Sequence, residues 1–350
     1  LLACKGERAK LEQLVPDGAT AMLSMDAKAL MTSPLWTKLK ASADTAGDGK
    51  AKASLDHLKD ECKLDLEQLE GVVMAFDAFS QSGMGAIRLP NVGTADALRC
   101  ADALAVKEGG KSLWTVGEAD GKPTVTAESG ELQGWALDDD TLVLSSKGWA
   151  SAVQARMKGE SKGAVDNGLA EAVALADRDK HLWIAGEVPA LLASFLDETP
   201  AKGVRRVAGS FQFGEALEIR MSAAFSDEAG AKAAHDEIAP KLEDARKLAV
   251  EQGMSQSTAD SMKLELDGAV VRGEMTVDLA PLLERTTESF TGYMSRSKTT
   301  EARMHVQRLV QSTTMYLMEE RLAPVGGTLA HVCPSDGRPE GETGITPPLD

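Results

Sequence analysis

The sequence predicts an α+β protein: two tandem repeats of a mainly antiparallel sheet with helices on one face, followed by a long C-terminal helix. Three observations carry this prediction. Apolar runs of strand length recur through residues 19 to 277. The strands are joined by hairpins rather than by long crossovers. The same order of elements then occurs twice.

In the first half, Ala19 to Met25 (ATAMLSM) alternates as a strand, and Asp26 caps a helix that runs to Trp36. In the second, His181 to Gly186 is the matching strand and Val188 to Leu196 the matching helix, with Pro189 tolerated in its first turn. Gly71 to Phe76 corresponds to Arg206 to Phe213, and Met84 to Leu89 to Leu217 to Phe225. Each second strand leads into a capped helix, opened by Thr94 in the first half and by Ser226 in the second. The strands at 124–126, 132–137 and 141–144 are matched by 262–266, a turn at Asp267-Gly268, and 269–277. Both halves close on a helix, at 149–157 and 279–285. Residues 158–168, rich in Gly and charge, read as the linker between repeats 15–157 and 169–285, and residues 41–51 as a second soft stretch.

Composition narrows the function classes. The 350 residues carry a net charge of −16, and no run of Lys or Arg exceeds a pair, which argues against a nucleic-acid surface and against docking on anionic lipid. No stretch approaches the roughly 20 apolar residues needed to cross a bilayer. Only 4% of residues are aromatic, so Ala, Leu, Val and the 14 Met fill the core; the Met residues are assigned to packing rather than to a binding surface.

The common chemical signatures are missing. No GxSxG, HExxH or GxGxxG occurs. Gly110-Lys111-Ser112 ends like a phosphate loop, but Ala105 stands where the first Gly is needed, so it reads as a surface loop. Asp138-Asp139-Asp140 lacks the spacing of a calcium loop and reads as an acidic turn. His57, His181, His235, His305 and His331 are scattered singly, without a Cys/His cluster, so a structural zinc is not expected; His181 and His235 read as surface histidines. No cofactor, no metal and no catalytic residue is assigned.

The chain opens Leu1-Leu2-Ala3-Cys4, and LLAC resembles a bacterial lipobox. That resemblance implies a signal peptide cleaved before Cys4, acyl chains on Cys4, and Lys5 to Lys10 as a solvated tether within residues 1–14. Lys5 after the Cys implies export to the outer membrane. In that oxidising compartment Cys62 and Cys100, which frame one hairpin, are expected to bridge, the alternative being two buried free thiols. Cys333 then has no partner within these residues.

Residues 286–350 carry the long helix and a Pro/Gly-rich tail. The stretch 290–321, through Tyr293, Arg296-Ser297-Lys298-Thr299, Glu301-Ala302, Val306, Leu309 and Tyr316, resembles the post-membrane part of type IV pilin-like proteins, without their apolar first half. Residues 11 to 285 resemble large uncharacterised envelope lipoproteins, on Val15-Pro16-Asp17-Gly18-Ala19, Lys28-Ala29-Leu30 and Pro34-Leu35-Trp36. Together these imply a lipid-anchored, non-catalytic envelope protein acting as a binding or structural module. Its expected partners are the membrane, through the N-terminal lipid, and an envelope or pilus-type protein, through 290–321. The alternative is a carrier holding an apolar ligand between sheet and helices.

Overall fold

Residues 10–38, 40, 50–108, 110–196 and 199–278 are described by the computed structural model. The expected tether through Cys4, residues 41–49 of the soft stretch 41–51, the helix at 279–285, the segment 290–321 and Cys333 lie outside them, and residues 50–51 of that stretch begin a helix instead.

Twelve strands form one antiparallel sheet. They are β1 (Ala21–Asp26), β2 (Gly71–Asp77), β3 (Ser82–Arg88), β4 (Thr115–Ala119), β5 (Lys122–Thr126), β6 (Leu132–Asp138), β7 (Thr141–Ser146), β8 (Leu182–Glu187), β9 (Val204–Phe213), β10 (Ala216–Phe225), β11 (Lys263–Asp267) and β12 (Val270–Asp278). Their spatial order is β11-β12-β10-β9-β8-β1-β2-β3-β7-β6-β5-β4. The expected pair of sheets is therefore a single sheet, because β1 and β8 pair with each other along Ala21 to Met25. To one side of that seam the order is β1-β2-β3-β7-β6, and to the other β8-β9-β10-β12-β11, with β5 and β4 added to the first side. β4 was not expected. Its signal is the Asp120-Gly121 turn into β5, both residues at positive φ as a two-residue hairpin requires.

Local chemistry sets the helix starts. Asp26 accepts from the Ala29 N–H at 2.8 Å and opens α1 (Ala27–Met31). Following α2 (Lys50–Cys62), Thr94 accepts from the Ala97 N–H and opens α3 (Ala95–Lys107). Trp149 precedes α4 (Ala150–Met157), and α5 (Ala170–Val173) and α6 (Ala190–Leu196) flank β8. The cap of α7 (Glu228–Ile238) is Asp227, not Ser226, which instead donates to the Gly203 carbonyl. Two further helices, α8 (Leu242–Glu251) and α9 (Gln256–Ser261), precede β11. The last turn falls at Gly268-Ala269, one residue later than expected, since Asp267 stays paired with Val270 and Gly268 takes the positive φ.

Helices pack on both faces of the sheet, not on one. Met84, Ala86 and Val143 join Leu14, Val153, Leu169 and Trp183 in one buried cluster. Their strand neighbours Ile87, Leu142 and Leu144 point the other way, into a cluster with Cys62, Leu98 and Leu104. A third cluster, Val204, Phe225, Ala231, Ala234 and Val271, seats α7 on that second face at the far wing. The Gly-rich stretch read as a linker is exposed over 158–162 and 166–168 but tied to the core between them: Ala164 is fully buried, Pro16 bridges Gly163, and the Ala164 N–H donates to the Val15 carbonyl. The buried Arg156 guanidinium fastens it further, donating to the carbonyls of Gln13 and Ser161.

Candidate apolar binding face

Among the described residues, the second face of the sheet is covered at its wings and partly open at its centre. Strand register shows what lies there. The central row runs Gly85, Met74, Leu23, Ile184, Gly209 and Met221 across six neighbouring strands. The row toward one strand end is Gly83, Phe76, Ala21, Gly186, Val207 and Ala223. The row toward the other runs Val72, Met25, Leu182, Phe211 and Ile219, ending at Ile87, which packs into the first flanking cluster. None of these residues is charged or carries a hydroxyl. At about 4.8 Å per strand the floor is about 24 Å wide.

Four of its side chains are exposed, and most of the others, Leu23 and Ile184 among them, are partly buried. Met74 is 57% exposed, Phe76 54%, Met221 43% and Val207 39%. Met74 and Met221 thus depart from the expectation that Met serves the core, whereas Met22 and Met84, on the opposite face, fulfil it. Gly209 deepens the floor: a Cβ there would lie 2.8 Å from the Met221 sulfur and 3.1 Å from Ile184 Cγ1, so these side chains lean over the glycine. The opposite face holds a buried apolar cluster and, with it, several hydroxyls. It buries Ser24, Ser145, Ser210 and Ser222, and Ser222 Oγ has no hydrogen-bond partner. An exposed contiguous apolar surface of this kind marks a binding site in soluble proteins.

Between sheet and helices, the expected alternative ligand site, lie the side chains of the two flanking clusters among the described residues. Two open depressions lie elsewhere. One, of about 340 Å³, is polar and crossed by ion pairs, with Arg220 bound to Glu274 at 2.7 Å and Lys180 to Glu218 at 3.0 Å. The other, of about 470 Å³, sits between α7 and the 199–203 loop and is lined by Phe225, Ser226, Lys202 and Gly230 among others.

The structure places the remaining candidates of the sequence apart from this face. Cys62 and Cys100 are bonded, with sulfurs 1.99 Å and Cα atoms 5.3 Å apart, and join the end of α2 to α3. Asp138 and Asp140 organise a turn, accepting from the N–H groups of Asp140 and Asn91, while Gly93 approaches so closely that a Cβ would strike the Asp138 carbonyl oxygen. Ser112, of the loop that mimics a phosphate site, donates to Asp102, which also accepts from the N–H groups of Leu113 and Trp114. Burial pushes the Asp102 carboxyl up, and these hydrogen bonds together outweigh it and hold it below the usual carboxylate range. His57 meets Glu108 at 3.3 Å and His235 meets Asp236 at 3.5 Å, both at the surface. Among the described residues no three His, Cys, Asp or Glu side chains come together to hold a metal ion.

His181 is the exception to the surface reading. Its Nδ1 accepts from the Phe213 N–H at 3.3 Å and its ring stacks on Phe213 at 6.3 Å. Gln212 Nε2 stands 2.8 Å from the ring's Nε2. Burial, with Lys180 beside it, lowers the imidazole pKa against the opposing pull of Asp26.

Among the described residues no helix is long and apolar enough to cross a membrane. No family model matches the chain, and no curated protein matches it. Among solved structures, crystal form III of TP0453 is similar with a TM-score of 0.47 at 8% identity, covering 80% of this chain and 99% of that one. Crystal form IV gives 0.44 at 9%, over 80% and 95%. Crystal form I gives 0.42 at 9%, over 80% and 98%. Likeness at this level leaves the chemistry of the site to its own residues.

Proposed function

We propose that this chain is a non-catalytic, lipid-anchored protein of the bacterial envelope whose binding module is the open apolar face at the centre of the sheet. One observation carries the reading: among the described residues, three cross-strand rows without a polar side chain lie between two helix-covered wings, with Met74, Phe76, Val207 and Met221 exposed on them. A monomeric domain gains nothing from exposing Met74 and Phe76, since burying such side chains is worth roughly 1.5–3 kcal/mol each. Their exposure is explained by something that covers them. In this reading Cys4 carries the acyl anchor, the two mirrored strand orders are tandem repeats joined at the β1–β8 seam, and residues 290–321 engage an envelope or pilus-type partner.

Fluorescence of an anilinonaphthalene-type dye tests the face. Wild type is expected to bind it, and the doubly substituted Met74→Lys, Phe76→Asp chain to lose that binding while keeping its circular dichroism. Undiminished dye binding in the double variant overturns the assignment. The anchor is tested by mass spectrometry of the N-terminal peptide from envelope-purified native material. A bare thiol on Cys4, or Leu1 to Ala3 still attached, counts against it.

A further inference from the structure

The apolar face has a cationic end. β9 carries a bulge where Ala224 pairs with Arg206 and Phe225 with Val204, so Arg205 is the extra residue. It lies two residues before Val207, at the margin of the outermost apolar row. Its Nε donates to Ser226 Oγ at 2.8 Å, and no carboxylate pairs with it among the described residues. Lys202, on the rim of the adjoining 470 Å³ depression, likewise makes no ion pair there. The two carboxylates lining that depression are engaged: Asp227 caps α7 through the Gly230 N–H, and Glu237 pairs with Lys241 at 3.0 Å. In a chain of net charge −16, two cations in no ion pair among the described residues stand beside an uncharged floor, with the charged cap Asp227 on the depression that Lys202 lines.

That combination selects an amphiphile over its alternatives. A wholly apolar ligand leaves the guanidinium unused. A second copy of this face meets the flanking helices before the floors touch, because α3 and α7 stand on either side of it. From Val207 on β9 across β8 and β1 to Met74 on β2 is three strand spacings, about 14 Å, within the reach of an extended twelve-carbon chain. We propose that this face binds a long-chain fatty acid, its hydrocarbon lying over Val207, Ile184 and Met74 and its carboxylate at Arg205 beside Lys202 and Ser226. The proposal rests on the face being a binding module and adds the class of ligand.

The test is calorimetric titration of the full chain with laurate and with dodecanol, each below its aggregation limit, at about 0.1 M salt. Wild type is expected to bind one laurate. Arg205→Gln weakens laurate about fivefold and leaves dodecanol unchanged, as loss of one exposed charge contact requires. Phe76→Asp, and the milder Met74→Gln should the first unfold, weaken both ligands. Equal effects of Arg205→Gln on the two ligands overturn the headgroup assignment. Dye binding without binding of either chain overturns the amphiphile while the binding face stands; loss of both dye and ligand overturns both. Capture by phosphatidylcholine vesicles with no monomer titration also overturns it, in favour of a membrane surface.

Discussion

Leu23 on β1 and Ile184 on β8 stand directly opposite each other across the seam that makes two half-sheets one. On the reverse side of the same strands, Ser24 faces Trp183, both buried. The seam therefore has a sealed side and an open side. Leu23 and Ile184 sit in the middle of the open one.

That asymmetry predicts opposite responses to truncation of two aromatic residues. Trp183 is 2% exposed and lies under the Arg178 guanidinium, so Trp183→Ala is expected to cost about 3–5 kcal/mol. Phe76→Ser, on the exposed face, is expected to stay within about 0.5 kcal/mol of wild type. Urea unfolding of the two variants measures both; similar midpoints would contradict the division into sealed and open faces.

The disulfide closes a loop across a sequence separation of 38. Restriction of the unfolded chain by that loop is worth about 4 kcal/mol. Replacing both Cys62 and Cys100 by Ala is expected to lower stability by about 2–4 kcal/mol, and addition of reductant to wild type to do the same. Stability insensitive to reductant would show that the bridge does not form in solution.

Arg156 is 8% exposed and ties the carbonyls of Gln13 and Ser161, which come from the N-terminal segment and from the stretch between the halves. Removing it takes the guanidinium donors from both carbonyls, one on partly buried Gln13 and one on exposed Ser161. Arg156→Met is expected to destabilise by about 3 kcal/mol. Hydrogen exchange should show 11–16 and 161–166 opening together, whereas opening of only one segment would refute the shared fastening.

His181 makes stability depend on pH in a stated direction. Its folded-state pKa lies below the ordinary value near 6.5, so the unfolded chain binds the proton more readily. The contribution is fully present above about pH 6.5 and is lost as pH falls through the lowered folded value. The His181→Gln chain should show a flatter change in urea midpoint between about pH 7.5 and about pH 5 than wild type. An unchanged slope would mean the ring is not held neutral.

Short-range chemistry made much of this architecture readable from the amino-acid order. The alternation of 21–25, the caps at Asp26 and Thr94, and the closeness of Cys62 to Cys100 depend on neighbours within a turn or a hairpin, and each appears in the structure close to its expected place. What covers each face does not depend on neighbours in sequence. Val72 to Phe76 is apolar at every position, as is fitting for a strand buried on both sides, and nothing in that run says that Val73 and Ala75 meet a core while Met74 and Phe76 meet solvent. The pairing of β1 with β8, about 160 residues apart, aligns Met74, Leu23, Ile184 and Met221 into one row, and the placing of α3 and α7 on the outer strands leaves that row bare. Amino-acid order alone determined which segments become strands and helices, because propensity, capping and alternation are local. Only the tertiary structure decided that they share one sheet and that its centre stays open, because register and coverage are set by contacts between distant segments.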